Sequence, residues 1–143
     1  MNLRIKPLRR LVLLMGLLVA VSGCQPKPQD TSQAILLQNA AFLLQISPGT
    51  IPVETALTLR LTPQEPLVQV SAEIQGVSMY MGRIPLQWRQ ADTTAEAKTT
   101  TWTAEFFLGA CSDPQMQWQL QLWLEYPDGR KVPYQVPFQS SWR

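Results

Sequence analysis

Met79-Tyr80-Met81-Gly82 and, further along, Cys111-Ser112-Asp113-Pro114-Gln115-Met116 bring together the side chains in this chain best suited to specific chemistry. Their common element is sulfur. Thioether and thiolate donors are soft and select Cu(I) over harder divalent ions. Met79 and Met81 stand two apart, so on a strand they project from one face and two long side chains reach toward one ion. Met pairs also fill irregular gaps in cores, which is the plainer role for such a pair standing alone. The chain has no histidine. That removes Ser-His-Asp and Cys-His catalysis together with imidazole metal sites. The carboxylates are scattered over polar positions as an ordinary solvated surface. Only three lysines lie beyond the leader, Lys27, Lys98 and Lys131, and none supports a Ser–Lys nucleophile. The chain reads as a non-enzyme.

The other cysteine has a different context. Arg4, Lys6, Arg9 and Arg10 precede an apolar run from Leu11 to Val21, too short to span a bilayer, which ends at Val21-Ser22-Gly23-Cys24. This looks like a bacterial lipoprotein signal. Residues 1–23 would be removed and Cys24 would become the acylated first residue of the mature chain. Each buried methylene contributes roughly 0.8 kcal/mol, so several acyl chains, palmitate among them, give stable attachment where one does not. Gln25 in place of Asp after the Cys favours the outer over the inner membrane. The expected location is the periplasmic face of the envelope, with the lipid bilayer as the first partner. In that oxidising compartment Cys111 is left unpaired, so it is buried and inert, paired with another protein, or a ligand.

Removing the leader changes the charge argument. The whole chain has a formal charge of +2, but without the four leader cations eight Lys/Arg face ten Asp/Glu, a net −2. No basic patch remains to neutralise phosphates, which excludes nucleic acid as a partner. Residues 24–34, the lipidated Cys with a polar, proline-bearing stretch, read as a tether. Residues 35–143 then form one domain, long enough to bury a core.

The elements that must position the sulfurs alternate apolar and polar residues at period two. Leu57, Leu59 and Leu61 form one such face; Val68, Val70, Ala72 and Ile74 a second; Trp102, Ala104, Phe106 and Leu108 a third. Met116, Trp118, Leu120, Leu122, Leu124 and Tyr126 make a long fourth. Val132, Tyr134, Val136 and Phe138 make a fifth, joined to it through Asp128-Gly129, a pair suited to a tight hairpin. Pro133 and Pro137 on its polar side place that strand at a sheet edge. Ala34–Leu44 is compatible with a helical start, although Phe42–Ile46 before Ser47-Pro48-Gly49 reads better as a first strand. Ile84–Trp88 supplies one more short strand. About seven strands without a convincing helix predict an all-β fold, an antiparallel immunoglobulin-like β-sandwich.

Strand direction then brings the sulfurs together. If successive strands alternate, the turn at Met79–Gly82 and the loop at Cys111–Pro114 fall at the same end of the sandwich. Met79, Met81, Cys111 and Met116 become a candidate Cu(I) ligand set, with Cys111 as thiolate the strongest donor. Trp118 either contacts the ion through its ring face or, sharing the inward face with Leu120, packs in the core. Trp102 has the same core role, and Gly82 is a turn residue.

From Ser47 to Phe138 the chain resembles the YtkA/FixH-like group of small extracytoplasmic domains. The resemblance is carried by Pro48-Gly49, the Leu57-Thr58-Leu59 strand, the Met79-Tyr80-Met81-Gly82 turn, the Trp102–Phe106 strand and the Met116-Gln117-Trp118 to Asp128-Gly129 hairpin. It implies an immunoglobulin-like sandwich associated with copper handling and haem–copper oxidase assembly. Metal-binding Met residues in such families often come with His, which is absent here, and Cys111 takes that place. Three or four sulfurs without imidazole or water disfavour Cu(II) and suit transfer rather than redox catalysis.

The resulting expectation is a membrane-anchored Cu(I) carrier or chaperone that serves a cuproenzyme. The competing expectation is a non-catalytic adaptor lipoprotein docking a cell-envelope complex, with the Met residues as core or interface. Trp123 on the polar side of its strand and Trp142 near the C-terminus fit the adaptor, because aromatic anchors favour interfaces. The surroundings of the sulfurs discriminate the two. Met79 and Met81 pointing outward beside Cys111 favour copper, whereas burial of all of them under apolar side chains favours the adaptor.

Overall fold

The computed structural model describes residues 31–91 and 99–142. The leader, Cys24 and most of the tether lie outside the described residues. The chain forms β1 (Ala34–Gln38), β2 (Phe42–Ser47), β3 (Leu57–Pro63), β4 (Gln69–Gly76), β5 (Arg83–Leu86), β6 (Trp88–Gln90), β7 (Trp102–Phe106), β8 (Gln117–Glu125) and β9 (Lys131–Gln139). No helix occurs among the described residues.

Every strand pairing is antiparallel, and the strands form two sheets ordered β1-β2-β3-β7-β6 and β5-β4-β8-β9. Setting β1 aside, these orders follow the A-B-E-D and C′-C-F-G arrangement of an immunoglobulin-like sandwich. The all-β sandwich expected from the alternation is therefore the observed fold. Nine strands stand where about seven were expected, for two local reasons. Ala34–Leu44 begins as a strand hairpin, not a helix: the Asn39 side-chain oxygen accepts from the backbone of Ala41 and Phe42 and closes the turn. The segment read as Ile84–Trp88 is two strands. Its first part pairs with β4 in one sheet, and after Gln87 it continues along β7 in the other.

The core is made by the faces that the alternation picks out. Leu44, Leu57, Leu59 and Leu61 from one sheet meet Ile74, Leu120, Leu122 and Leu124 from the other, all essentially inaccessible to water. Fully burying each such side chain contributes roughly 1.5–3 kcal/mol. Val68 departs from its expected inward place. It precedes β4, is exposed and donates its N–H to Glu125. β9 is an edge strand, so Pro133 and Pro137 cost no ladder bond on its free side. Its hairpin closes through the N–H of Gly129 on the Tyr126 carbonyl, with Gly129 at φ 85°. A side chain there would be strained.

The strand directions place two groups of loops. The β1–β2 turn, the β3–β4 loop and the β8–β9 turn lie at one end. The β2–β3, β4–β5 and β7–β8 connections and the residues after β9 lie at the other. Backbone hydrogen bonds tie this second group together: Glu54 to Leu108, Val77 to Gln117, Ser140 to Met116 and Ser141 to Ile51.

Candidate metal centre

Both sulfur-bearing segments fall in that second group, as alternating strand directions require. They are not built as strands. Residues 77–82 form the turn between β4 and β5, so Met79 and Met81 do not share a face by strand periodicity. The turn doubles back because of two glycines. Gly82 holds φ 78°, a left-handed conformation that favours glycine. At Gly76, a Cβ would collide with the Met79 carbonyl oxygen and the Met116 methyl carbon Cε. The missing side chain at Gly76 lets the Met79 backbone lie against Met116.

The thiol of Cys111 donates to Met79 Sδ with the sulfurs 3.3 Å apart, across 32 residues of sequence. A zinc–sulfur bond of about 2.3 Å sets the scale for two sulfurs sharing an ion. The observed separation is well under twice that length, so one ion could bridge the pair. The Asp113 backbone N–H points at Cys111 Sγ from 3.5 Å. Met116 immediately precedes β8, and its Sδ lies 3.0 Å from Ser78 Oγ. Met81 is half-buried, its Cε 3.4 Å from where a Gly109 Cβ would sit. The structure thus brings Met79 and Cys111 into direct sulfur contact, while Met116 meets Ser78 and packs with the Met79 backbone against Gly76, and Met81 lies against Gly109.

Accessibility is graded through the cluster. Met79 is 43 % exposed, Cys111 is buried with its thiol on Met79, and Met116 is 1 % exposed. One thioether therefore meets solvent while the thiol and the second thioether lie behind it.

Ser78 and Asp113 are site residues that sequence reasoning missed. Ser78 Oγ sits 3.1 Å from Asp113 Oδ2, accepts from the Gln117 backbone N–H at 3.1 Å and also faces Met116 Sδ. A hydroxyl has one proton and two acceptors compete for it here. A carboxylate oxygen is a better acceptor than a thioether sulfur, so the Ser78 hydroxyl donates to Asp113. Met116 Sδ then keeps its lone pairs. Asp113 Oδ1 in turn accepts from Gln115 N–H two residues on, an Asx turn. Asp113 followed by Pro114 was the available signal for that turn; nothing local pointed to Ser78.

The two tryptophans weighed as metal neighbours, Trp118 and Trp102, are core residues. Trp118 is fully buried and donates from Nε1 to Ser140 Oγ at 3.0 Å. Trp102 is buried on the inward face of β7. Trp123 is partly exposed on the outer face of β8, and Trp142 is exposed beyond β9. Among the described residues no group of three or more His, Cys, Asp and Glu side chains forms a metal-binding cluster. Soft sulfur is the donor type that the described residues concentrate.

No protein-family model matches the chain, and no curated protein sequence matches it. Among solved structures, the crystal structure of a DUF4426 family protein from Pseudomonas aeruginosa PAO1 is similar, with a TM-score of 0.49 and 10 % sequence identity. That likeness covers 78 % of this chain and 96 % of the other.

Proposed function

We propose that the protein is a lipid-anchored, extracytoplasmic Cu(I) carrier that delivers copper to a cuproenzyme such as a haem–copper oxidase. The observation that carries this reading is the 3.3 Å contact between Cys111 Sγ and Met79 Sδ, made by two loops of distant sequence. Cys111 as thiolate is the strong donor, Met79 and Met116 complete a three-sulfur set, and Met81 is the fourth candidate. Such a set favours the monovalent ion. Partial exposure of Met79 leaves one side open for a ligand exchange with an acceptor. The reading includes acylation at Cys24, residence on the periplasmic side, preferentially of the outer membrane, and no catalysis. The resemblance of Ser47–Phe138 to the YtkA/FixH-like group supports the same role.

The test is a Cu(I) titration under reducing conditions against a competing chromophoric chelator, on the chain from Gln25 onward. The expected result is one tight equivalent, lost in Cys111→Ser and in Met79→Leu/Met81→Leu. No competition by the wild type would overturn the copper reading.

The adaptor reading keeps one specific observation in its favour. Trp123 is exposed on the outer face of β8, beside Gln69, Ser71 and Lys131, where an envelope protein could bind. The sulfur environment supports copper at Met79, which is open beside Cys111, but not at Met81, which is half-buried against the core. Cys111 and Met116 themselves are buried, as the adaptor would have them.

A further inference from the structure

The end of the sandwich that holds the sulfurs also collects exposed apolar side chains. Val77 and Tyr80 share the β4–β5 turn with Met79, Phe107 follows β7, and Trp142 follows β9. Of the eight exposed large hydrophobics among the described residues, these five lie at one end, with Ile35 near it on β1, while Val68 and Trp123 lie elsewhere. Tyr80 is 83 % exposed and Trp142 52 %. Exposed apolar and aromatic side chains gathered at one end are the kind of feature through which a protein meets a partner or a membrane. Three of the four ion pairs among the described residues lie away from this end, the exception being Arg83 with Glu73. The ion pairs of Arg130 with Glu65 and Asp128, and of Lys131 with Glu125, lie at the far end. The sulfur end has Glu54 and Asp113, with Glu105 and Arg83 at its margin. Attraction to anionic headgroups is therefore not its basis; apolar and aromatic contact is.

The path of the chain identifies the occupant. Gly49 donates its N–H to Ser32, and Ala34 pairs with Ile46 at the sulfur end of β2. The described chain therefore enters the domain at this end. Eight residue steps separate Ser32 from Cys24. They reach about 28 Å when fully extended and about 16 Å as a flexible coil. The sandwich, set by the nine-residue β8, is roughly 30 Å long. Once Cys24 is acylated, the tether joins the domain at its sulfur end and keeps that end within about its own reach of the bilayer. Tethering raises the local concentration of the patch at the surface to about the millimolar range, enough for a weak apolar contact to persist. Tyr and Trp are also the side chains that settle at the membrane–water interface.

We propose that the sulfur end is seated on the bilayer surface, with Tyr80, Phe107 and Trp142 at headgroup depth and Met79 held in the membrane plane. This rests on the lipid-anchor reading of Cys24 and is independent of whether copper binds. It would direct the sulfurs toward a membrane-embedded acceptor rather than a freely diffusing one.

The test uses the full chain, matured in a host that processes lipoproteins and reconstituted in phosphatidylcholine vesicles with or without brominated acyl chains. The mass of the N-terminal peptide reports acylation, and tryptophan emission reports depth. The proposal expects acylated Cys24 and quenching by brominated lipid that is largely lost in Trp142→Phe and retained in Trp123→Phe. Phe107→Ser/Tyr80→Ser should make Trp142 accessible to aqueous iodide. Acylated protein whose Trp142 is open to iodide and unquenched by brominated lipid would overturn the seating and leave the anchor standing. An unmodified Cys24 would overturn both.

Discussion

Cys111 Sγ and Met79 Sδ meet 3.3 Å apart although one sits in a crossover between sheets and the other in a hairpin turn within one sheet. Neither segment can form the site alone, because β4, β7 and β8 must first assemble to bring their loops together. Ligand binding is thereby linked to the folded state. At Cu(I) one hundred times its Kd, linkage stabilises the fold by about 2.7 kcal/mol. Thermal melts under reducing conditions should show this gain in the wild type and none in Cys111→Ser.

The exposures of the two flanking methionines separate a ligand role from a packing role. Met116→Ala should cost about 2–5 kcal/mol, because it empties a site that is 1 % exposed. Met79→Ala should change stability by about 0.5 kcal/mol or less, as surface substitutions do. Denaturant unfolding checks both. Met116→Leu conserves volume and should cost less than about 1.5 kcal/mol, so a fall in Cu(I) affinity in that variant reads the lost sulfur. If Met79→Ala and Met116→Leu both bind Cu(I) like the wild type, neither thioether is a ligand.

The glycines of the Met turn make a matched pair. Gly76→Ala drives a methyl into the Met79 carbonyl and the Met116 methyl, an overpacking expected to cost about 1–3 kcal/mol. It should also separate Met79 from Met116 and weaken Cu(I) binding. Gly82→Ala meets open space and bears only its left-handed φ of 78°, about 1–2 kcal/mol. Melts with parallel Cu(I) titrations should therefore show affinity falling further in Gly76→Ala than in Gly82→Ala.

Much of this arrangement was legible in the residues, and what was not has a physical cause. Period-two alternation located the core of β3, β4, β7, β8 and β9, since only one register buries Leu57, Leu59 and Leu61 together. Strand parity placed the Met turn and the Cys111 loop at one end. Parity survived the break at Gln87 because β5 and β6 run on in the same direction while changing sheets. Alternation could not reveal that change, since a strand's own sequence does not name its partner. Nor could it reveal the turn geometry: Met79 and Met81 read as strand neighbours until the close approach at Gly76 and the φ of Gly82 bend the chain. Ser78 was illegible because its partners Asp113, Met116 and Gln117 are all distant in sequence.

The buried Trp118–Ser140 pair gives a prediction for the floor of the same end. Ser140 is 2 % exposed and its Oγ accepts the Trp118 indole N–H at 3.0 Å. Ser140→Ala leaves that donor buried without its partner, a loss of about 1–3 kcal/mol. Trp118→Phe/Ser140→Ala removes donor and acceptor together. In a double-mutant cycle by chemical denaturation, the double variant should be more stable than the sum of the two single losses predicts.

Asp128 fixes the opposite end of the molecule and gives the chain a defined pH response. Its carboxylate accepts from the Arg130 backbone N–H and from the Arg130 guanidinium. Those bonds, the backbone one foremost, hold its pKa below the ordinary Asp value. A carboxyl depressed on folding contributes stability that is present above its unfolded pKa and lost as pH falls through the folded value. Asp128→Asn should therefore be less stable than the wild type at neutral pH. The gap should narrow as pH drops below about 4, the ordinary Asp pKa. Both Asp128 and Arg130 lie at the surface, so added salt should shrink the neutral-pH difference as well. Urea melts of the two proteins between neutral pH and pH 3 measure this directly; a gap that stays constant with pH would show that the hairpin does not depend on the charge of Asp128.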